Sequence, residues 1–207
     1  MRNIVLLFVA VMVLVGCQKE VSIDSLTGGG GTGGSGSGSL IGTWKFIGAS
    51  VATEGIVTVT DVGIDLKTIT SSSYTTANNT GTYTFTSNKL SFTGVGYSLN
   101  TLATSYIYMD GLLTDSIEFP FSATLPPSNG ESNYRKVGSD SLVFEGGSIA
   151  IPSYGTQPAQ ASGVKYRFSG DTLFLVTKAA QTSTVTDAGA TQTTVNKVDG
   201  VVKLLKQ

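Results

Sequence analysis

Four carboxylates in the middle of the chain, Asp110, Asp115, Glu118 and Glu145, are the residues that could do chemistry, because two acids flanking a glycosidic bond can serve as general acid and base in its hydrolysis. Their spacing forms no motif, and most of them lie beside glycine, serine or turn residues, where solvation is the ordinary role. Asp61 and Asp65 lack the alternating oxygen ligands and glycine of a calcium loop. The chain has no histidine and a single cysteine, Cys17. A His-assisted serine or cysteine nucleophile, a His/Cys zinc site and an imidazole proton shuttle each lack a required residue. An intramolecular disulfide is impossible. The expectation is a protein that is not an enzyme, with no cofactor and no metal site.

The elements that hold these residues follow from composition. Lys and Arg number 13 against 14 Asp and Glu, a formal net charge of -1, so there is no basic field to gather phosphates and no nucleic-acid partner is expected. The 26 glycines and the abundance of Thr, Ser, Val and Tyr favour strands and tight turns, since β-branched and aromatic side chains suit a pleated surface. The length suits one domain once targeting segments are removed.

Arg2 precedes an apolar run from Ile4 to Val15, about a dozen residues, which is short of the roughly 20 that span a bilayer as a helix. That is the shape of a signal peptide. Leu14-Val15-Gly16-Cys17 resembles the lipobox of bacterial lipoproteins. The resemblance implies cleavage before Cys17, acyl chains on that residue, and a membrane partner reached through those chains. Several chains on one residue give lasting attachment, at about 0.8 kcal/mol per buried methylene. Gln18-Lys19-Glu20 follows without an aspartate next to the cysteine, which by the sorting rules of Gram-negative lipoproteins implies the outer membrane. Gly28 to Gly38 is almost entirely glycine and serine and cannot bury apolar area. Residues 1–17 are thus expected to be a lipoprotein signal peptide, and 18–39 a flexible tether with a reach of about 25 Å. Residues 40–207 are the folded domain.

Within that domain the pattern is that of an all-β fold. From Thr43, strict alternation puts Trp44, Phe46, Gly48 and Ser50 on one face and Lys45, Ile47, Ala49 and Val51 on the other. Ile56–Thr60 and Ile64–Ile69 continue as strands around a turn at Asp61-Val62-Gly63. Three segments share one plan of strand, polar turn and strand: Tyr83 to Phe92, Tyr134 to Phe144, and Tyr166 to Leu175. Tyr106 to Met109 and Ile117 to Phe121 are further strands, with Pro120 marking an edge or bulge. Pro126 to Gly130 is expected as a loop, and Ile151 to Gly163 as an irregular stretch covering one end. After a polar, Thr-rich passage, Val201 to Leu205 forms the last strand.

Gly42-Thr43-Trp44 on the first strand resembles the Gly-x-Trp signature of lipocalins and of lipocalin-like domains in bacterial lipoproteins. The resemblance implies an antiparallel up-and-down β-barrel whose tryptophan plugs one end, with a cation over the ring for which Lys203 is the candidate; a β-sandwich is the alternative. It implies an envelope lipoprotein that holds or carries a small hydrophobic ligand. Inward positions Phe85, Phe92, Tyr106, Tyr108 and Phe174 are the candidate cavity lining. The alternative function is a structural, interaction or carbohydrate-binding lipoprotein of the cell surface, using exposed tyrosines such as Tyr97 and Tyr154. Oligomeric state is left open.

Overall fold

A computed structural model describes residues 38–147 and 162–207. The lipobox, the tether before Gly38, Tyr154 and most of the irregular stretch after Gly147 lie outside the described residues. Nine strands follow in order: β1 Gly42–Asp61, β2 Ile64–Thr75, β3 Ala77–Phe85, β4 Lys89–Met109, β5 Leu112–Val137, β6 Ser141–Gly147, β7 Ser162–Ser169, β8 Thr172–Asp187 and β9 Ala190–Lys206. All pair antiparallel in one sheet, and β1 pairs with β9, so the sheet returns on itself. There is one ring-like sheet rather than two stacked ones.

The ring differs along its length. At the end where β1 begins, the circuit runs β1, β3, β4, β5, β6, β7, β8, β9 and back to β1. Towards the other end β6 and β7 have run out. Among the described residues, β5 from Leu112 to Glu131 then pairs only with β4, and β8 from Lys178 to Asp187 only with β9. What continues is an open six-stranded sheet, β5-β4-β2-β1-β9-β8. Proline needs no ladder donor, so Pro120 fits the unpaired side of β5, opposite Leu102 of β4. Pro126 and Pro127 also lie within β5, where a loop was expected. Consecutive residues aim their amide positions to opposite sides of a strand, so the free side takes one proline and the register shift between Val95 and Tyr97 the other, with Ser128 pairing with Val95 and Gly130 with Phe92. The Thr-rich passage also belongs to strands, β8 and β9, with Thr184 facing Thr193 and Thr186 facing Thr191.

The three turns that join the long strands are two-residue loops: Val62-Gly63, Asp110-Gly111 and Ala188-Gly189, each with positive φ at both positions. That backbone matches strand twist in tight hairpins. The expected turn at Asp61-Val62-Gly63 is therefore in place. All three repeated hairpins are present as well, pairing Phe85 with Leu90, Val137 with Ser141, and Ser169 with Thr172.

The two halves meet at a joint that the alternation alone missed. β1 shifts register between Phe46 and Gly48, and the opposite course breaks between β2 and β3 at Thr76. The Thr76 Oγ1 accepts from the Ala49 amide at 2.8 Å, while the Thr76 amide donates to the Ala49 carbonyl at 2.9 Å. Asn79 donates to the carbonyls of Ile47 and Thr76. One residue of slip moves side chains to the opposite face. Beyond Gly48 the buried residues of β1 are accordingly Ala49 and Val51, not Ser50.

Candidate functional site

The core fills the closed end. Trp44, Phe46, Tyr83, Phe85, Leu90, Phe144, Leu142, Leu173 and Leu204 are each at most 1% exposed. Their rings pack edge-on or tilted, with Phe85 against Tyr134, Tyr134 against Phe144, and Phe46 against Tyr83, at centroid separations of 5.9 to 6.1 Å, the arrangement that aromatic quadrupoles favour. Burial in this apolar surrounding pushes the Tyr83 hydroxyl well above the usual phenolic range, with Tyr97 adding a smaller push. Tyr97 is itself raised by burial.

Trp44 closes this end. Its Nε1 donates to the Leu40 carbonyl at 3.0 Å, Phe168 lies 5.9 Å away by centroid, and the Lys206 ammonium stands over the ring at 5.5 Å. The cation over the tryptophan is therefore Lys206 and not Lys203. Strand register explains the difference: Lys206 is directly opposite Trp44 in the β1–β9 ladder, whereas Lys203 faces Phe174 of β8 on the outer surface. The turns around the rim are stitched to their neighbours by the repeated hairpins. Amides of Tyr134, Tyr166 and Lys206 donate to the carbonyls of Asn88, Asp140 and Asp171, respectively. The hydroxyls of Tyr134 and Tyr166 donate to the carbonyls of Thr86 and Ser139.

The five expected lining residues do not come together. Phe85 and Phe92 are in the packed core. Tyr106, Tyr108 and Phe174 occupy the alternate positions of β4 and β8 and face outward, with Lys67 over Tyr108 and Arg167 over Phe174 at 4.1 Å. The inward residues of β8 are Leu173, Leu175 and Thr177. Tyr97 is 8% exposed, part of the core rather than a surface platform. The four acids are dispersed too. Asp110 accepts from the Asp65 amide at a hairpin tip, Asp115 from the Ser116 amide, and Glu145 pairs with Arg135; Glu118 is an exposed position of β5.

Two features of the open half were not singled out from sequence. On the inner face, the register rows bring together Leu66, Met109 and Leu112, then Ile117 and Phe119 along β5. Met109, Leu112, Ile117 and Phe119 are 39% to 73% exposed, an apolar surface next to Phe121 and Leu125, which pack on the core. The alternation Ile117, Phe119, Phe121, Ala123, Leu125 carried that signal. On the outer face, a groove of about 540 Å³ crosses β9, β1, β2 and β4 and is walled by Glu54, Ser71, Ser73, Leu102, Thr104 and Lys197.

No family model and no curated protein matches this chain. Among solved structures it is similar to the translocator domain of the autotransporter NalP from Neisseria meningitidis, at 9% identity and a TM-score of 0.26, covering 77% of this chain and 88% of that one. A likeness at that level carries nothing about function. The class defined by the fold is that of all-β proteins built from one antiparallel sheet with ring-like closure.

Proposed function

We propose that this protein is a lipid-anchored envelope lipoprotein, held through acyl chains on Cys17 at the outer membrane of a Gram-negative bacterium, whose lipocalin-like barrel domain binds a small hydrophobic molecule. The observation that carries the reading is the Trp44 plug: a tryptophan on the first strand, tied to the Leu40 carbonyl and covered by a cation from the last strand. That arrangement adds to the Gly42-Thr43-Trp44 signature the cation that the sequence alone assigned to the wrong lysine.

The tether would enter at the plugged end, since Leu40 is buried beside Trp44. The 20 residues of β1 span about 65 Å at roughly 3.3 Å per residue. An anchor at Cys17 would thus leave the open half facing away from the membrane. The largest side chains of the plugged end are packed to 1% exposure or less, so the exposed apolar inner face around Ile117, Phe119 and Met109 is the surface for the ligand.

Two measurements on the full-length protein test this. Intact-mass analysis of protein expressed in a bacterial host is expected to show an acylated, processed N-terminus, and Cys17→Ser to move the protein from the membrane fraction to the soluble one; acylation of that variant would overturn the anchor. Mass spectrometry of copurifying lipids is expected to find a bound apolar molecule that Phe119→Asp releases. An empty domain that shows no thermal shift across a lipid panel would remove the carrier reading.

A further inference from the structure

The outer face of the open half is built of cross-strand rows. One row runs Lys197, Glu54, Ser71, Thr104 across β9, β1, β2 and β4, and beside it Asp199, Ala52 and Ser73 stand opposite one another. These two rows line a shallow groove of about 540 Å³ that is open to solvent. Towards the hairpin tips, the next row is apolar: Val195, Ile56, Ile69 and Tyr106. Tyr106 is 38% exposed and Leu102 60% exposed, so an aromatic ring and an aliphatic side chain flank the hydroxyl-lined floor.

Charge in the groove is internally balanced. Lys197 donates to Glu54 at 2.7 Å, and Lys178 pairs with Asp199 at 3.7 Å. No net field remains to select an anion or a cation. What the surface offers is two carboxylate acceptors, hydroxyls that both donate and accept, and the ammonium donors of Lys197 and Lys178, laid next to an apolar row. Four adjacent strands make the row about 14 Å wide, from roughly 4.8 Å per strand spacing. A neutral ligand with many hydroxyl groups and an apolar C–H face matches each of these properties. A purely hydrophobic ligand would strip water from the Glu54–Lys197 and Asp199–Lys178 pairs and from the hydroxyls of Ser71, Ser73 and Thr104 without replacing the hydrogen bonds that water makes to them.

We propose that this groove binds a neutral oligosaccharide, its hydroxyls on Glu54, Ser71, Asp199 and Lys197 and one sugar face against Tyr106. The site is distinct from the inner apolar face and does not depend on lipidation. Titration calorimetry of the full-length protein in detergent, with cello-, malto- and xylo-hexaose as probes, is the test. At least one series is expected to bind, Tyr106→Ala to weaken it by about tenfold, and Ser73→Trp, which fills the floor from an exposed position, to abolish it. Thr182→Trp, on the outer face of β8, is expected to leave it unchanged. Circular dichroism and Trp44 emission unchanged in Tyr106→Ala, together with the second variant at Ser73, separate lost binding from lost folding. Failure of all three series to bind, or binding that survives both Tyr106→Ala and Ser73→Trp, would overturn the proposal.

Discussion

The plugged end and the open half use the same strands, yet they solve burial differently. At the plugged end, inward positions of eight strands face one another, so the alternation of β1, β3, β4, β8 and β9 converges on a core of Trp44, Phe46, Tyr83, Phe85, Leu173 and Leu204. Beyond the joint at Gly48 and Thr76 the same alternation continues, but β5 and β8 each lack one neighbour among the described residues. Inward side chains next to the joint, such as Val51, Tyr74 and Leu99, are still buried, whereas those nearer the hairpin tips, such as Met109, Leu112 and Ile117, are exposed among the described residues. Serine and threonine fill many of those positions, tied in cross-strand pairs such as Thr53 with Ser72 and Thr70 with Ser105. An apolar residue contributes stability only where closure removes it from water. Folding energy is thus concentrated at one end, and surface available for binding at the other.

The largest expected effect is at the plug. Trp44→Ala removes a ring that is 1% exposed and is expected to cost about 3–5 kcal/mol in urea denaturation, whereas Ile117→Ala, at 48% exposure, is expected to cost under about 1 kcal/mol. Similar losses at the two positions would break the distinction between the halves. The register shift of β3 against β4 between Thr80 and Thr82 comes next. Gly81 has a φ of +91°, and a Cβ there would stand 2.5 Å from the Gly94 carbonyl carbon. Gly81→Ala is therefore expected to destabilise by about 1–3 kcal/mol, with faster amide exchange spreading from Thr80 to Gly96.

The phenols sharpen the contrast by pH. Burial raises the Tyr83 and Tyr97 pKa values above the model-peptide value of 10.0, so the folded state keeps protons that the unfolded chain gives up. This contribution is whole below pH 10 and is lost as pH rises through the higher folded values. Unfolding is expected to become easier in that alkaline window, and Tyr83→Phe to move the transition to higher pH. A transition unmoved by that variant would dissociate Tyr83 from alkaline unfolding. The smallest effect is at Lys206. Lys206→Met keeps the aliphatic stem and removes the charge over Trp44, an expected loss of about 0.5–1 kcal/mol accompanied by a shift in Trp44 emission; Lys203→Met is expected to leave that emission unchanged.

Much of the plugged end was legible in the chain because its determinants are local. The three hairpins are set by a polar turn between alternating apolar positions, and Trp44 by its place on the first strand. Lys206 could not be chosen over Lys203 without the β1–β9 register, since a shift of one residue exchanges the faces of a strand. The same limit explains the candidate lining. Alternation says that Phe85 and Tyr106 lie on the faces of strands, but bulges in β3 and β4 decide which face each takes. Pro126 and Pro127 read as a loop because the free side of β5 and its register shift against β4 are properties of its neighbours and not of its own residues.

The sequence by itself determined that the chain is all-β, where its short hairpins turn, and which residue types are missing from its chemistry, because period-two patterning, turn propensity and composition act over a few residues. Only the tertiary structure decided that, among the described residues, one half of the ring closes and the other opens, that Lys206 covers Trp44, and that Glu54 meets Lys197 from 143 residues away. Those contacts depend on pairings between distant strands, and such pairings are fixed by the whole sheet together rather than by any segment of it.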